Sequence, residues 1–286
     1  MNSIYNETKF IMKKYGIKAN KSLGQNFLID DNAIETIVNS ANISKNDLVI
    51  EIGPGLGTLT SNLLEKAGKV ICVELDDRMI NILQDRFKLY DNFKLIHEDI
   101  LKLPLKDIIE KEKKENNFKS TKIVANLPYY ITTPIIMKLL EYNLPIESIT
   151  VMVQKEVADR LTATPGDKNT GAITYSIDYY CNAKEILFVP NTSFIPAPEV
   201  NSEVIQLEIR KEPPVTVKNE KFLFNIVKTN FMQRRKTLLN ALVNGGIASK
   251  FEIENVLNSL NISTNIRGEK LTLEQFALIS NLLQKK

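Results

Sequence analysis

The chain is poor in the residues that most often do redox or metal chemistry, with 2 cysteines and 1 histidine among 286 residues. Cys72 and Cys181 lie far apart, each in an apolar run, so two buried thiols are expected, not a disulfide or a metal pair. His97 sits near a strand-like end and is expected to be packed or exposed, not catalytic. Long hydrophobic runs are also missing. No stretch reaches the roughly 18 consecutive apolar residues of a membrane span, and residues 1–20 lack the apolar core of a signal peptide, which points to a cytoplasmic chain. Glycine and proline, 11 each, are ordinary in number and exclude a fibrous or low-complexity class.

Apolar residues make up 43% of the chain, enough for one large core and a small one. The net charge of +3 is unevenly spread: residues 211–286 hold 12 Lys and Arg against 6 Glu, leaving residues 1–210 net acidic. A second basic stretch, Lys9, Lys13, Lys14, Lys18 and Lys21, opens the chain beside a single acid, Glu7. Two basic ends fit a protein that grips a polyanion.

From Asp47 onward, short β-rich runs alternate with helical spacing, which predicts an α/β domain on a largely parallel sheet. Strands are expected at 48–52, 69–75, 93–97, 122–127 and 148–154, with helices at 57–67, 77–89, 133–142 and 155–163. The runs 183–190 and 202–210, with no helix between them, read as an antiparallel addition at the sheet edge. Residues 111–122, charged and polar, are expected to form a solvated loop. The break at 212–215 (EPPV) precedes helical spacing, and divides the chain into 1–212 and a helical 213–286.

A buried strand runs straight into Gly53, Gly55 and Gly57 and then a helix, a turn that lets backbone approach a ligand. Glu74 ends the next strand, placed to accept hydrogen bonds from ribose hydroxyls, and Asp99 follows the third, placed to meet an adenine amine. Asn126, Leu127, Pro128 and Tyr129 follow the fourth strand. An adenine N6 amine is a poor nucleophile because its lone pair is delocalised into the ring. Asn126 and a backbone carbonyl, of Leu127 or Pro128, can accept its two N–H groups. Pro128 stiffens the turn, and Tyr129 offers a stacking face. Phe194, in a proline-rich loop, is a candidate for covering the other face of the base. A methyl carried on a sulfonium is already activated, so this chemistry calls for positioning and no metal.

The chain resembles the bacterial small-subunit ribosomal RNA adenine dimethyltransferases through blocks at 21–30 (KSLGQNFLID), 49–60 (VIEIGPGLGTLT), 71–79 (ICVELDDRM), 124–136 (VANLPYYITTPII), 194–202 (FIPAPEVNS) and 231–242 (FMQRRKTLLNAL). The resemblance implies a Rossmann-like class I methyltransferase domain with a seven-stranded, mostly parallel sheet, plus a small all-α C-terminal domain for RNA binding. It implies S-adenosylmethionine as methyl donor and dimethylation of two adjacent adenines of 16S rRNA in a partly assembled small subunit. It adds Asn26 and Leu28 to the donor site beside Gly53, Gly55, Glu74, Asp99 and Asn126. Lys21, Arg234, Arg235 and Lys236 are the expected RNA contacts. Family members often carry an aromatic where Thr170 stands. Two alternatives share parts of this pattern: a large-subunit adenine methyltransferase of the macrolide-resistance type, and a ribosome-assembly factor in which binding outweighs catalysis. No surplus apolar stripe calls for a dimer, so a monomer is expected.

Overall fold

The computed structural model describes residues 3–20 and 24–284. Nine strands occur among the described residues: β1 Phe27–Leu28, β2 Asp47–Ile52, β3 Lys69–Glu74, β4 Phe93–His97, β5 Ser120–Asn126, β6 Ser148–Gln154, β7 Cys181–Val189, β8 Phe194–Ile195 and β9 Ser202–Ile209. Seven of them form one sheet in the order β4-β3-β2-β5-β6-β9-β7. β2 pairs in parallel with β3 and β5, β3 with β4, and β5 with β6. β9 runs antiparallel to β6, and no α-helix stands between β7 and β9 in the chain. The expected strands and helices are all present, their ends shifted by a few residues at most.

The chain steps outward from β2 through β3 to β4, then returns to the other flank of β2 with β5. That reversal opens a crevice beyond the carboxyl ends of β2 and β5, where open α/β sheets bind ligands. Every residue of β2 is buried, which explains its nearly continuous apolar sequence. Helix Asp31–Ser40 starts where Asp30 accepts from the Ala33 N–H at 3.1 Å, a side-chain cap.

Of the expected loop at 111–122, residues 120–122 open β5, and 111–116 are instead the end of a helix, Leu105–Asn116. Its buried face is Leu105, Ile109 and Glu112, so a carboxylate occupies a position that helical spacing reserves for an apolar residue. Glu112 is 2% exposed and lies 2.7 Å from both Lys69 and Lys94 on neighbouring strands. These two cations hold its carboxyl below the usual range against the opposing effect of burial.

The chain divides into two compact units, one formed by residues up to Ala158 with Ala183–Ile209, the other by Asp159–Asn182 with Arg210 onward. A single cut at 212/213 therefore misses that residues 159–182 belong with the C-terminal helices. The physical reason is aromatic. Helix Ala172–Tyr180 supplies Tyr175, fully buried in the helical unit's core, edge-on to Phe276 at 5.0 Å and donating to the Leu271 carbonyl at 2.7 Å. Helices Glu220–Met232, Leu238–Asn244, Lys250–Ser259 and Leu273–Leu283 complete the unit, each opened by a capping side chain, from Asn219, Thr237, Ser249 and Thr272. No helix among the described residues is long and apolar enough to cross a membrane.

Candidate active site

At the end of β2 the backbone turns through Gly53, Gly55 and Gly57, all at positive φ. At Gly57 two constraints coincide: φ is 80°, and a Cβ there would sit 2.5 Å from the Phe87 ring, so only glycine fits. The Gly55 N–H donates to Glu74 Oε2 at 3.1 Å, while Glu74 Oε1 accepts from the Leu75 and Asp76 N–H groups at 2.8 and 2.9 Å. A carboxylate offers about four acceptor sites, so Glu74 is held rigidly and keeps capacity for a ligand. Burial pushes its pKa up and the three backbone bonds oppose that.

The cleft beyond these ends is lined by Gly24–Leu28, the glycine turn, Glu51, Glu74, Asp99 and the stretch Asn126–Ile131, among others. It brings together every residue expected at the methyl-donor site: Asn26, Leu28, Gly53, Gly55, Glu74, Asp99 and Asn126. Asp99 turns Oδ1 to the Leu101 N–H at 2.9 Å. His97 lies outside the lining, exposed beside Asp77 and the Leu75 carbonyl. Cys72 and Cys181 are both free and buried.

Asn126 closes β5 and donates its Nδ2 to the Asn26 carbonyl at 3.3 Å. That bond commits the amine end of the amide and leaves Oδ1 as its acceptor. The Pro128 carbonyl already accepts the Ile131 N–H at 3.2 Å and the Thr132 hydroxyl at 3.0 Å. Of the two carbonyls considered from sequence, Leu127 is thus the one with free capacity. Tyr129 is half-buried, its hydroxyl 2.6 Å from that of Ser202, and Tyr130 is exposed at the rim.

Phe194, expected to cover the base, is not among the residues that line this cleft. It is 3% exposed, pairs with Leu28 in the β1–β8 ladder and belongs to the apolar cluster that includes Phe27 and Leu28.

Arg234, Arg235 and Lys236 occupy the turn between two helices of the helical unit, not a helix face. Arg235 and Lys236 are exposed. Arg234 is partly committed, donating to the Thr170 carbonyl at 3.2 Å, 3.7 Å from Glu269 and above the Phe231 ring. Thr170 itself is 1% exposed and bonds the Thr164 carbonyl, so no surface contact arises from its side chain. Lys21 lies outside the described residues.

Sequence reasoning missed two groups in the cleft. Glu51 is 1% exposed within β2, accepts from Thr60 at 2.6 Å through Oε2, and has no partner for Oε1 among the described residues. Burial pushes its pKa up to about 7, against the Thr60 and Cys72 hydrogen bonds that lower it. The signal was an acid interrupting an otherwise apolar parallel strand. The second group is a clamp: Gln25 donates to Asp76 at 2.7 Å, and Arg78 binds Asp76 at 2.5 Å, the Gln25 oxygen at 3.3 Å and the Lys18 carbonyl at 3.2 Å. It ties the wall Gly24–Leu28 to the loop after Glu74. No local pattern announces it.

A parallel sheet with one reversed strand, a glycine turn at its switch point and an acid ending the next strand define a Rossmann-like methyltransferase. Solved structures agree: a dimethyladenosine transferase from Plasmodium falciparum matches with a TM-score of 0.72 at 26% identity, covering 88% of this chain and 95% of its own. The 23S rRNA methyltransferase ErmE shares the fold, with a TM-score of 0.67 at 23% identity over 90% of this chain and 99% of its own. The pattern of the ribosomal RNA adenine dimethylase family matches residues 16–285, and the chain belongs to that family of enzymes. The ribosomal RNA small subunit methyltransferase A of Alkaliphilus oremlandii is 49% identical over 281 residues, covering 98% of this chain and 97% of its own. That of Clostridioides difficile is 46% identical over 284 residues, covering 99% and 97%.

Proposed function

We propose that this enzyme transfers methyl groups from S-adenosylmethionine to N6 of two adjacent adenines near the 3′ end of 16S rRNA, forming N6,N6-dimethyladenosine during small-subunit assembly. The observation that carries it is the pairing, in one cleft, of the Glu74–glycine cradle with an Asn126 whose amine end is committed to Asn26. The small-subunit substrate comes from the names of relatives that match over nearly the whole chain.

The residues fit the methyl donor. Glu74 accepts from ribose hydroxyls and Asp99 from the adenine amine. Leu28 and Asn26 wall it, with Gly53 and Gly55 giving close backbone approach. Bound there, S-adenosylmethionine supplies a methyl group on a sulfonium, ready for displacement by an amine. Asn126 Oδ1 and the Leu127 carbonyl accept the two N6–H groups and localise the lone pair on nitrogen. Pro128 stiffens the turn that aims them, and Tyr129 holds the base by stacking, worth roughly 1 to 3 kcal/mol. Orientation of this kind supplies most of the rate. Lys21, Arg235 and Lys236 meet the RNA backbone, joined by the part of Arg234 that stays exposed, and each such contact adds to the salt dependence of binding.

The test is transfer of radiolabelled methyl from S-adenosylmethionine to unmethylated small subunits and, separately, to large-subunit RNA, followed by nucleoside analysis. Dimethyladenosine on the small-subunit RNA alone is expected. Label confined to large-subunit RNA would assign the enzyme to the macrolide-resistance reaction, and no label on either would leave assembly as its work.

A further inference from the structure

We infer that Ser202 is a positioning residue for methyl transfer: its hydroxyl fixes the long axis of the Tyr129 ring on which the target base stacks. The inference rests on the reading of the cleft given above. Stacking requires only an aromatic face, which phenylalanine provides as well as tyrosine. A half-buried hydroxyl adds a desolvation cost and nothing to that face. Among the described residues the cost is offset by a single partner, Ser202 Oγ at 2.6 Å, on a residue that is 0% exposed. Burial pushes the phenol's pKa up, so the group is neutral in ordinary buffers and the bond is a neutral one.

The strands explain why this bond sets geometry. Ser202 opens β9 opposite Gln154, the last residue of β6. Asn126 ends β5 opposite Met152 of β6, and the Leu127 N–H donates to the Met152 carbonyl at 3.1 Å, carrying the pairing one residue further. The tetrad and the serine therefore stand on the two strands that flank β6, and the Tyr129 side chain bridges the end of β6 between them. One end of the ring is fixed by the turn after β5, the other by β9. The direction of its long axis is then held relative to Asn126 through the sheet. Cutting the bond leaves the ring free to change rotamer, and misplacing a stacked base relative to Asn126 Oδ1 lowers the fraction of time in reactive geometry. The 194–202 block thus acquires a role at its far end: Phe194 packs in the core and Ser202 reaches the site.

The experiment compares wild type, Ser202→Ala, Tyr129→Phe, the double variant and Ser202→Thr in methyl transfer to unmethylated small subunits, with both substrates varied. Each single change is expected to lower kcat by about fivefold while the KM for S-adenosylmethionine stays unchanged. The double variant should be no slower than either single one, because both remove the same bond. Ser202→Thr, which keeps the hydroxyl, should recover most of the rate. Wild-type kcat in Ser202→Ala, additive losses in the double variant, or a loss carried by the KM for S-adenosylmethionine would each overturn the inference while the function stands. A wild-type enzyme that methylates no adenine would overturn the function, and the inference with it.

Discussion

On one flank of the cleft, Gly53, Gly55 and Glu74 present backbone and a carboxylate locked by three backbone N–H groups. On the other, Asn126 and Tyr129 present side chains held by Asn26 and Ser202, partners 100 and 73 residues away in sequence. The first flank is assembled by a strand, a turn and the next strand, so it forms wherever that local sequence folds. The second is assembled by the whole sheet. Precision at the methyl-donor flank therefore rests on backbone conformation, and precision at the base flank on side-chain hydrogen bonds that single substitutions can cut.

The largest effect should come at the base flank. Asn126→Ala removes the acceptor for N6–H and should reduce kcat by about a thousandfold or more, with S-adenosylmethionine binding weakened but measurable by calorimetry. Near-normal turnover in that variant would break the comparison, since catalysis would then not depend on the side-chain flank.

Next in size is a stability effect at the other flank. Glu51 has a folded pKa of about 7 against an ordinary 4.5. Its neutral form is favoured by the fold, so its contribution is fully present below pH 4.5 and is lost as pH rises to about 7. The loss amounts to about 3 kcal/mol over that interval at 1.36 kcal/mol per unit. Urea unfolding of Glu51→Gln should show a much flatter pH dependence between these limits than wild type. Parallel curves for the two proteins would remove Glu51 from the account.

A smaller effect is expected at Glu74, where Glu74→Gln replaces an acceptor with an amide that cannot receive all three N–H groups. Affinity for S-adenosylmethionine should fall by about tenfold, with kcat at saturation nearly unchanged. A fall in kcat at unchanged affinity would show that the two flanks are not separable.

The same contrast decides what could be read from sequence. The strands, the glycine turn and the acid at the end of β3 are local; spacing and residue type announced them. The buried Glu112 was hidden because its cationic partners, Lys69 and Lys94, lie on other strands. Residues 159–182 read as part of the first domain because nothing local says that Tyr175 fills another core. Phe194 looked like a site residue in a stiff loop, and only the ladder with β1 shows that its ring is interior. The choice between the Leu127 and Pro128 carbonyls required knowing that Ile131 and Thr132 had already taken one of them.

The wall formed by Gly24–Leu28 is fastened to β8 and its neighbours, with Ser193 donating to Asp30 across 163 residues of chain. Synthesis proceeds from the N-terminus, and contacts of such long sequence separation close late. The glycine turn and Glu74 emerge early, with the Gln25–Asp76 clamp between them and the wall, whereas the bracing from Ser193 and β8 needs a segment made much later. The last bracing of the methyl-donor wall thus comes from residues made after most of the enzyme has been translated.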